Sequence, residues 1–194
     1  MALSDDYVRF DECEDVLVSL ELVAHFAPLL SEKPRYWKWM IVGAHSALQG
    51  AMVCALADST GTSILTKKSA TEMLTWLNAD PATRGPHPDE RLAEFGELLK
   101  RCIARSDLLM LTPKQRKNIK RLHDHFRNNF VHFTPKGWSI EKAGLPWIVG
   151  AAIDAAEALM RQHNVIVHMN EDEQQRLTDA LTTVRSHLPT SVAS

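Results

Sequence analysis

Five apolar residues, Ile119, Leu122, Phe126, Phe130 and Phe133, follow one another at spacings of three, four, four and three. That is the period of one face of an α-helix, and it predicts an amphipathic helix that reaches about Phe133. Such a face must be covered by other apolar faces, and the chain supplies them at the same period. Val16, Leu20, Val23, Ala27 and Leu30 form a second stripe. Trp37, Ile41, Ala44, Leu48, Ala51 and Ala55 form a third. Leu92, Phe95, Leu99 and Ile103 form a fourth, and Leu177, Leu181, Val184 and Leu188 a fifth. The expectation is an all-α, up-and-down bundle of six or seven helices. At 194 residues and 45% hydrophobic content, residues 1–194 suit one domain with one well-buried core.

Local punctuation places the helix ends. Asp11 and Glu14 have capping-box spacing, so the first helix starts near Asp11 and stops by 31–33, before Pro34. Pro34 suits the first position of a long second helix over 34–57. Its alanines and Gly50 point to close helix–helix approach. A shorter helix follows over 69–78. Residues 79–88, with three prolines and a glycine, are a loop. Helices are expected over 89–105, from Thr112–Pro113 onward, over 147–164 and over 171–187. A loop with a brief strand at 138–141 follows the phenylalanine stripe, and 189–194 is a frayed tail.

Charge is distributed unevenly. The net charge is −2, which does not mark a whole-chain nucleic-acid binder. Between Lys114 and Lys136, however, seven basic residues face one acid, Asp124, giving +6 and leaving −8 for the remainder. A local positive patch attracts anions such as phosphates. Lys117, Lys120 and Arg121 are the candidate phosphate contacts, or simply a solvated helix face. The cysteines, Cys13, Cys54 and Cys102, are odd in number and far apart, which suits reduced thiols in a cytoplasmic protein. The acidic start of the chain is not a signal peptide. The most apolar run, 40–57, is interrupted by His45, Ser46, Gln49 and Gly50, so no membrane partner is expected.

The chemistry concentrates in the segment LHDHFRNNFVHFTPKGW, residues 122–138. His123 and His125 lie two apart, about 200° around a helix, and His125 and His132 lie about 10.5 Å apart along it. Neither pair chelates one ion, so neither a metal nor a cofactor is expected. Arg127, Asn128 and His132 suit phosphodiester chemistry. Arginine offers a permanent forked cation for a phosphate, and histidine exchanges a proton near neutrality. Asparagine can orient either, and RNA brings its own nucleophile in the 2′-hydroxyl. Plainer readings fit the same residues: Arg127 paired with Asp124 one turn back, and His132 bonded to a carbonyl at the helix end. Trp138 stands in the loop beyond as a candidate base-stacking residue or a core tryptophan. His45 reads as a hydrogen-bonded core histidine.

The string R-N-N-F-V-H, Arg127 to His132, resembles the R-x4–6-H motif of the HEPN superfamily (higher eukaryotes and prokaryotes nucleotide-binding domain). A polar residue commonly follows the arginine in that family, as Asn128 does here. The run GAHSALQGAMVCAL is similar to the family's second helix, and the resemblance covers about 11–159 in helix order. It implies a helical bundle that binds RNA and cleaves it without metal. Arg127 would hold the scissile phosphate, His132 would act as general acid and base, and Asn128 would orient them. It further implies a homodimer, with two motifs meeting in one site, and a toxin–antitoxin or defence role with an antitoxin partner. Other members are inactive, so the resemblance equally admits a non-catalytic nucleotide-binding or scaffold module. Arg127 and His132 are five residues apart, about 140° around an ideal helix.

Overall fold

The structure, a computed structural model, describes residues 7–132 and 137–188. Phe133 at the end of the phenylalanine stripe, the turn residues 134–136 and the tail 189–194 lie outside the described residues. The fold is an all-α helical bundle.

Helix α1 (Glu12–Phe26) begins where the Asp11 carboxylate accepts a hydrogen bond from the Glu14 backbone N–H at 3.0 Å. Three acids in its first turn complement the helix dipole. A 3-10 turn, Pro34–Tyr36, leads into α2 (Trp37–Leu56). Next come α3 (Lys67–Asn78) and α4 (Phe95–Ala104). A Thr112–Gln115 capping box opens α5 (Pro113–Arg121). The same helix continues as a π-helical stretch, Leu122–Arg127, and closes as α6 (Asn128–Val131). Then follow α7 (Leu145–Met160), α8 (His163–Ile166) and α9 (Glu171–His187), the last with an Asn170–Glu173 capping box.

Helix α2 is the centre of the bundle. It packs on α1, α4 and α7, while α5 lies on α7 and α9 on α1. Its buried residues run from Trp37 to Leu56 around most of its circumference, as expected of a helix inside a core rather than on a surface. From Pro34 to Leu56 it is, by length and mean hydropathy (1.4), long and apolar enough to cross a membrane; 67% of that apolar window is buried inside the bundle. The sequence-based run, 40–57, misses the leading turn and so understates this length.

Two glycines let α1 and α2 approach. A Cβ on Gly43 would stand 2.8 Å from Val23 Cγ2 and 3.1 Å from the Ser19 carbonyl oxygen. On Gly50 it would meet Val16 Cγ2 at 2.7 Å. The far side of α1 is tied to α9 by Arg176. Its guanidinium donates to both oxygens of Glu14, at 2.8 and 2.9 Å, and to both of Glu21, at 2.7 and 3.1 Å. Forked contacts of this kind fix orientation as well as distance.

Three expected boundaries differ. The helix expected over 89–105 begins only at Phe95. The backbone ahead of it is already engaged: Arg91 O accepts from Thr66 N at 2.8 Å, and Ala93 N donates to Ile64 O at 2.9 Å. Arg101 holds that edge by donating to the carbonyls of Ser63 and Leu65, at 2.7 and 2.9 Å. The buried face therefore recentres on Phe95, Leu98 and Cys102, and Leu92 is exposed. The brief strand expected at 138–141 does not form. Among the described residues the only β pairing is an isolated Leu65–Leu92 bridge. The helix expected over 147–164 starts at Leu145 and ends at Met160, where polar side chains turn to other elements. Gln162 donates to the Leu108 carbonyl at 3.0 Å and Asn164 to the Ala55 carbonyl at 3.2 Å.

Because α1 and α2 meet at backbone distance, Gly43→Leu should lower unfolding free energy by about 3 kcal/mol, the upper part of the usual overpacking range. Denaturant unfolding measures it; a loss under about 1 kcal/mol would show that the helices part easily there.

Candidate functional site

A histidine buried within α2 needs a hydrogen-bond partner, because a lone polar group costs about 1–3 kcal/mol inside a core. His45 is 2% exposed, and its Nε2 lies 2.8 Å from Nδ1 of His123. The two rings are nearly coplanar, with planes 13° apart and centroids 5.1 Å apart, so they meet edge to edge. Phe95 lies flat against both, at 4.4 Å from His45 and 4.5 Å from His123. One nitrogen donates and the other accepts, which requires at least one ring to be neutral. Burial pushes the His45 pKa down to about 3, with further lowering from His123 and Arg127. Burial lowers His123 too, reinforced by Arg127 and Lys120, while Asp124 and Glu94 oppose the shift. Near neutral pH both rings are uncharged.

His123 belongs to the π-helical stretch Leu122–Arg127. A π turn holds one more residue than an α turn and recurs at functional sites. Here it accommodates His123 against α2 while Leu122 and Phe126 stay in the core, at 0% and 2% exposure. Arg127 closes the stretch. It is half-buried, and its Nη1 donates to Asn128 Oδ1 at 3.1 Å. Beside it opens a cleft of about 400 Å³, lined also by His45, Ser46 and Gln49 of α2 and by Glu12 and Asp15 of α1. Burial raises the Asp15 pKa, so its charged form is disfavoured there.

The sequence-derived residues divide between four places. Arg127 lines the cleft, and Asn128 stands behind it as the acceptor of its hydrogen bond. Asp124 pairs with Lys120, and among the described residues no carboxylate pairs with Arg127. His132 is exposed at the helix end, where its backbone (φ −107°, ψ 52°) leaves the α region, and it does not line the cleft. Of the basic residues, Lys117 is exposed and Arg121 lies over the Phe126 ring at 5.2 Å. Trp138 is half-buried against Phe130, with ring centroids 4.8 Å apart. The His45–His123 pair and the Asp15 side of the cleft were not anticipated. The one sequence signal was a histidine inside an alanine-rich core helix, which demands a partner without naming it. Among the described residues no three His, Cys, Asp or Glu side chains converge as a metal site.

The chain matches no protein-family model, no curated protein and no solved structure.

The imidazole pair makes stability depend on pH. Below the ordinary histidine pKa of 6.5 the unfolded chain takes up a proton at position 45, which the buried His45 of the folded chain refuses. Stability is therefore full above that value and falls as pH drops from it toward about 3. The refused proton costs about 1.4 kcal/mol per pH unit in that window. Replacing His45 by Gln removes one titrating ring, so stability should fall less steeply between about pH 6 and about pH 4.5, by roughly that amount per unit. Denaturant unfolding across that range tests it; identical slopes would mean that the folded pair accepts the proton.

Proposed function

We propose that the chain binds RNA and cleaves it without a metal ion, acting as a homodimer. Arg127 binds the scissile phosphate, His132 exchanges the proton and Asn128 orients the guanidinium. In this reaction the 2′-hydroxyl oxygen attacks the adjacent phosphorus. The P–O2′ bond forms, the P–O5′ bond breaks, and a cyclic phosphate and a 5′-hydroxyl result. A base accepts the 2′ proton and an acid supplies one to the leaving 5′ oxygen. An imidazole whose pKa lies near neutrality serves for either transfer. A guanidinium offers forked donors to the phosphate as its charge develops.

The observation that carries this reading is the state of Arg127. No described carboxylate lies within ion-pairing distance of it, Asn128 holds its guanidinium, and it lines an open cleft. A half-buried cation with no contact ion pair among the described residues can take an external anion. The exposed position of His132 suits contact with a long substrate or with a second motif. The divergence of the two side chains around the helix favours a site completed by another copy. A toxin or defence role with an antitoxin partner belongs to the same proposal.

A second reading is a non-catalytic nucleotide-binding or scaffold module. Glu12 and Asp15 favour it, since an ionised carboxylate beside Arg127 opposes a phosphate in the cleft.

Incubation of the protein with single-stranded RNA in excess EDTA separates the two. Cleavage should occur, leave cyclic phosphate ends, and fall at least about 100-fold in Arg127→Ala and in His132→Ala, the scale of a lost acid–base or oxyanion-type group. No cleavage by the unmodified protein, or equal cleavage by both variants, contradicts the nuclease and leaves the binding module.

A further inference from the structure

A second opening lies at the other aromatic cluster of the molecule. Its volume is about 510 Å³, within the range of ligand sites. The 3-10 turn and the start of α2 give it Pro34, Arg35, Trp37 and Lys38; Phe130 of α6 adds a ring two residues before His132. Trp138, Ile140, Lys142 and Leu145 complete it. Among the described residues its lining thus combines three cations with aromatic and aliphatic carbon and contains no carboxylate.

The charges matter because they are unspent. Among the described residues no acid comes within ion-pairing distance of Arg35, Lys38 or Lys142. Some other cations of the bundle are paired, as Lys120 with Asp124, Arg161 with Glu157 and Arg176 with Glu14, whereas here three unpaired ones line a single opening. Arg35 and Lys142 are exposed; Lys38 is half-buried, with its ammonium 5.0 Å from the Trp39 ring centroid. The rings are assembled as well. Trp138 packs at 55° to Phe130 and at 30° to Phe126, with centroids 4.8 and 6.2 Å away. Trp138 and Phe130 are each only partly covered by the protein.

We propose that this groove is a track for single-stranded RNA, in which a base stacks on the Trp138–Phe130 cluster and the flanking phosphates lie against Arg35, Lys38 and Lys142. Stacking on aromatic faces combined with cations along the backbone is how unpaired strands are held. A duplex is disfavoured, because its bases are already stacked on one another. An acidic peptide satisfies the charges but not the rings. The track rests on the RNA reading above and extends it, since Phe130 brings the strand to within two residues of His132 in the chain. It also moves the main phosphate contacts away from the α5 face, where Lys120 is already paired with Asp124.

The test uses the full chain carrying His132→Ala, so that RNA stays intact during titration. A labelled, mixed-sequence RNA of about 12 nucleotides is titrated by fluorescence anisotropy, a length within the span that one such site occupies. Adding Arg35→Ala, Lys38→Ala and Lys142→Ala together should weaken binding at least about 10-fold. The salt dependence of log K should become shallower by about 2, three lost contacts at about 0.7 each. The charge-matched control, Lys67→Ala with Lys68→Ala and Lys100→Ala, should change affinity less than about 3-fold and keep the slope nearly unchanged. Binding should quench tryptophan fluorescence, and Trp138→Phe should remove that change. Equal loss in the groove and control variants overturns the track, as does polyglutamate competing as well as RNA of the same length. Absence of RNA binding overturns it too. RNA cleavage by otherwise unmodified protein is scored separately. Groove-dependent binding without cleavage supports the track and contradicts the nuclease. Cleavage with binding indifferent to the groove does the reverse.

Discussion

A helix buried on nearly every side can carry a polar side chain only where another element brings a polar group to meet it. Helix α2 is that helix, and His45 is that side chain. Its hydrogen bond to His123 joins the centre of the core to the helix that carries Arg127 and His132. Phe95, laid flat over both rings, closes the pair against water from the α4 side. Three separate parts of the chain thus meet at two imidazoles. The close approach of α1 to α2 at Gly43 and Gly50 holds the opposite side of α2, so its place in the bundle is set from two directions.

The consequences run outward from that pair. Both rings are kept neutral by burial and by the nearby Arg127. Neutral rings add no positive charge beside the guanidinium, which keeps its hydrogen bond to Asn128 and faces the cleft. The π-helical stretch is the local means by which one helix end serves both duties. It keeps Leu122 and Phe126 inside while His123 meets α2. On the proposed reading, Arg127 then serves a phosphate. The Trp138 groove serves the strand on which that phosphate sits.

Most of the fold was legible because burial follows period. Ile119, Leu122 and Phe126 lie inward as their spacing requires, and Leu177, Leu181, Val184 and Leu188 are all buried. Caps at Asp11, Thr112 and Asn170 act through local hydrogen bonds, and the first two could be read from neighbouring residues alone. What was not legible depends on contacts distant in the chain. Residues 89–94 read as helix, yet their backbone is claimed by Ile64 and Thr66. His45 and His123 are 78 residues apart, and nothing in either segment names the other. A π turn likewise follows from packing rather than from a residue pattern. Arg127 and Asn128 stood out by type and spacing. The company of Arg127 at the cleft, Asp15 and His45, emerged only when α1 and α2 were placed beside it.

The central physical claim is that burial of His45 is satisfied by His123, and a double-mutant cycle measures that pairing directly. His45→Phe, His123→Phe and the double variant are compared with the unmodified chain by denaturant unfolding at about pH 7.5, where both rings are neutral. Each single change leaves a buried nitrogen without its partner, whereas the double change removes both polar groups. The double variant should therefore be more stable than the sum of the single effects predicts, by at least about 1 kcal/mol. Additivity within about 0.3 kcal/mol would mean that the two rings are neighbours without being partners.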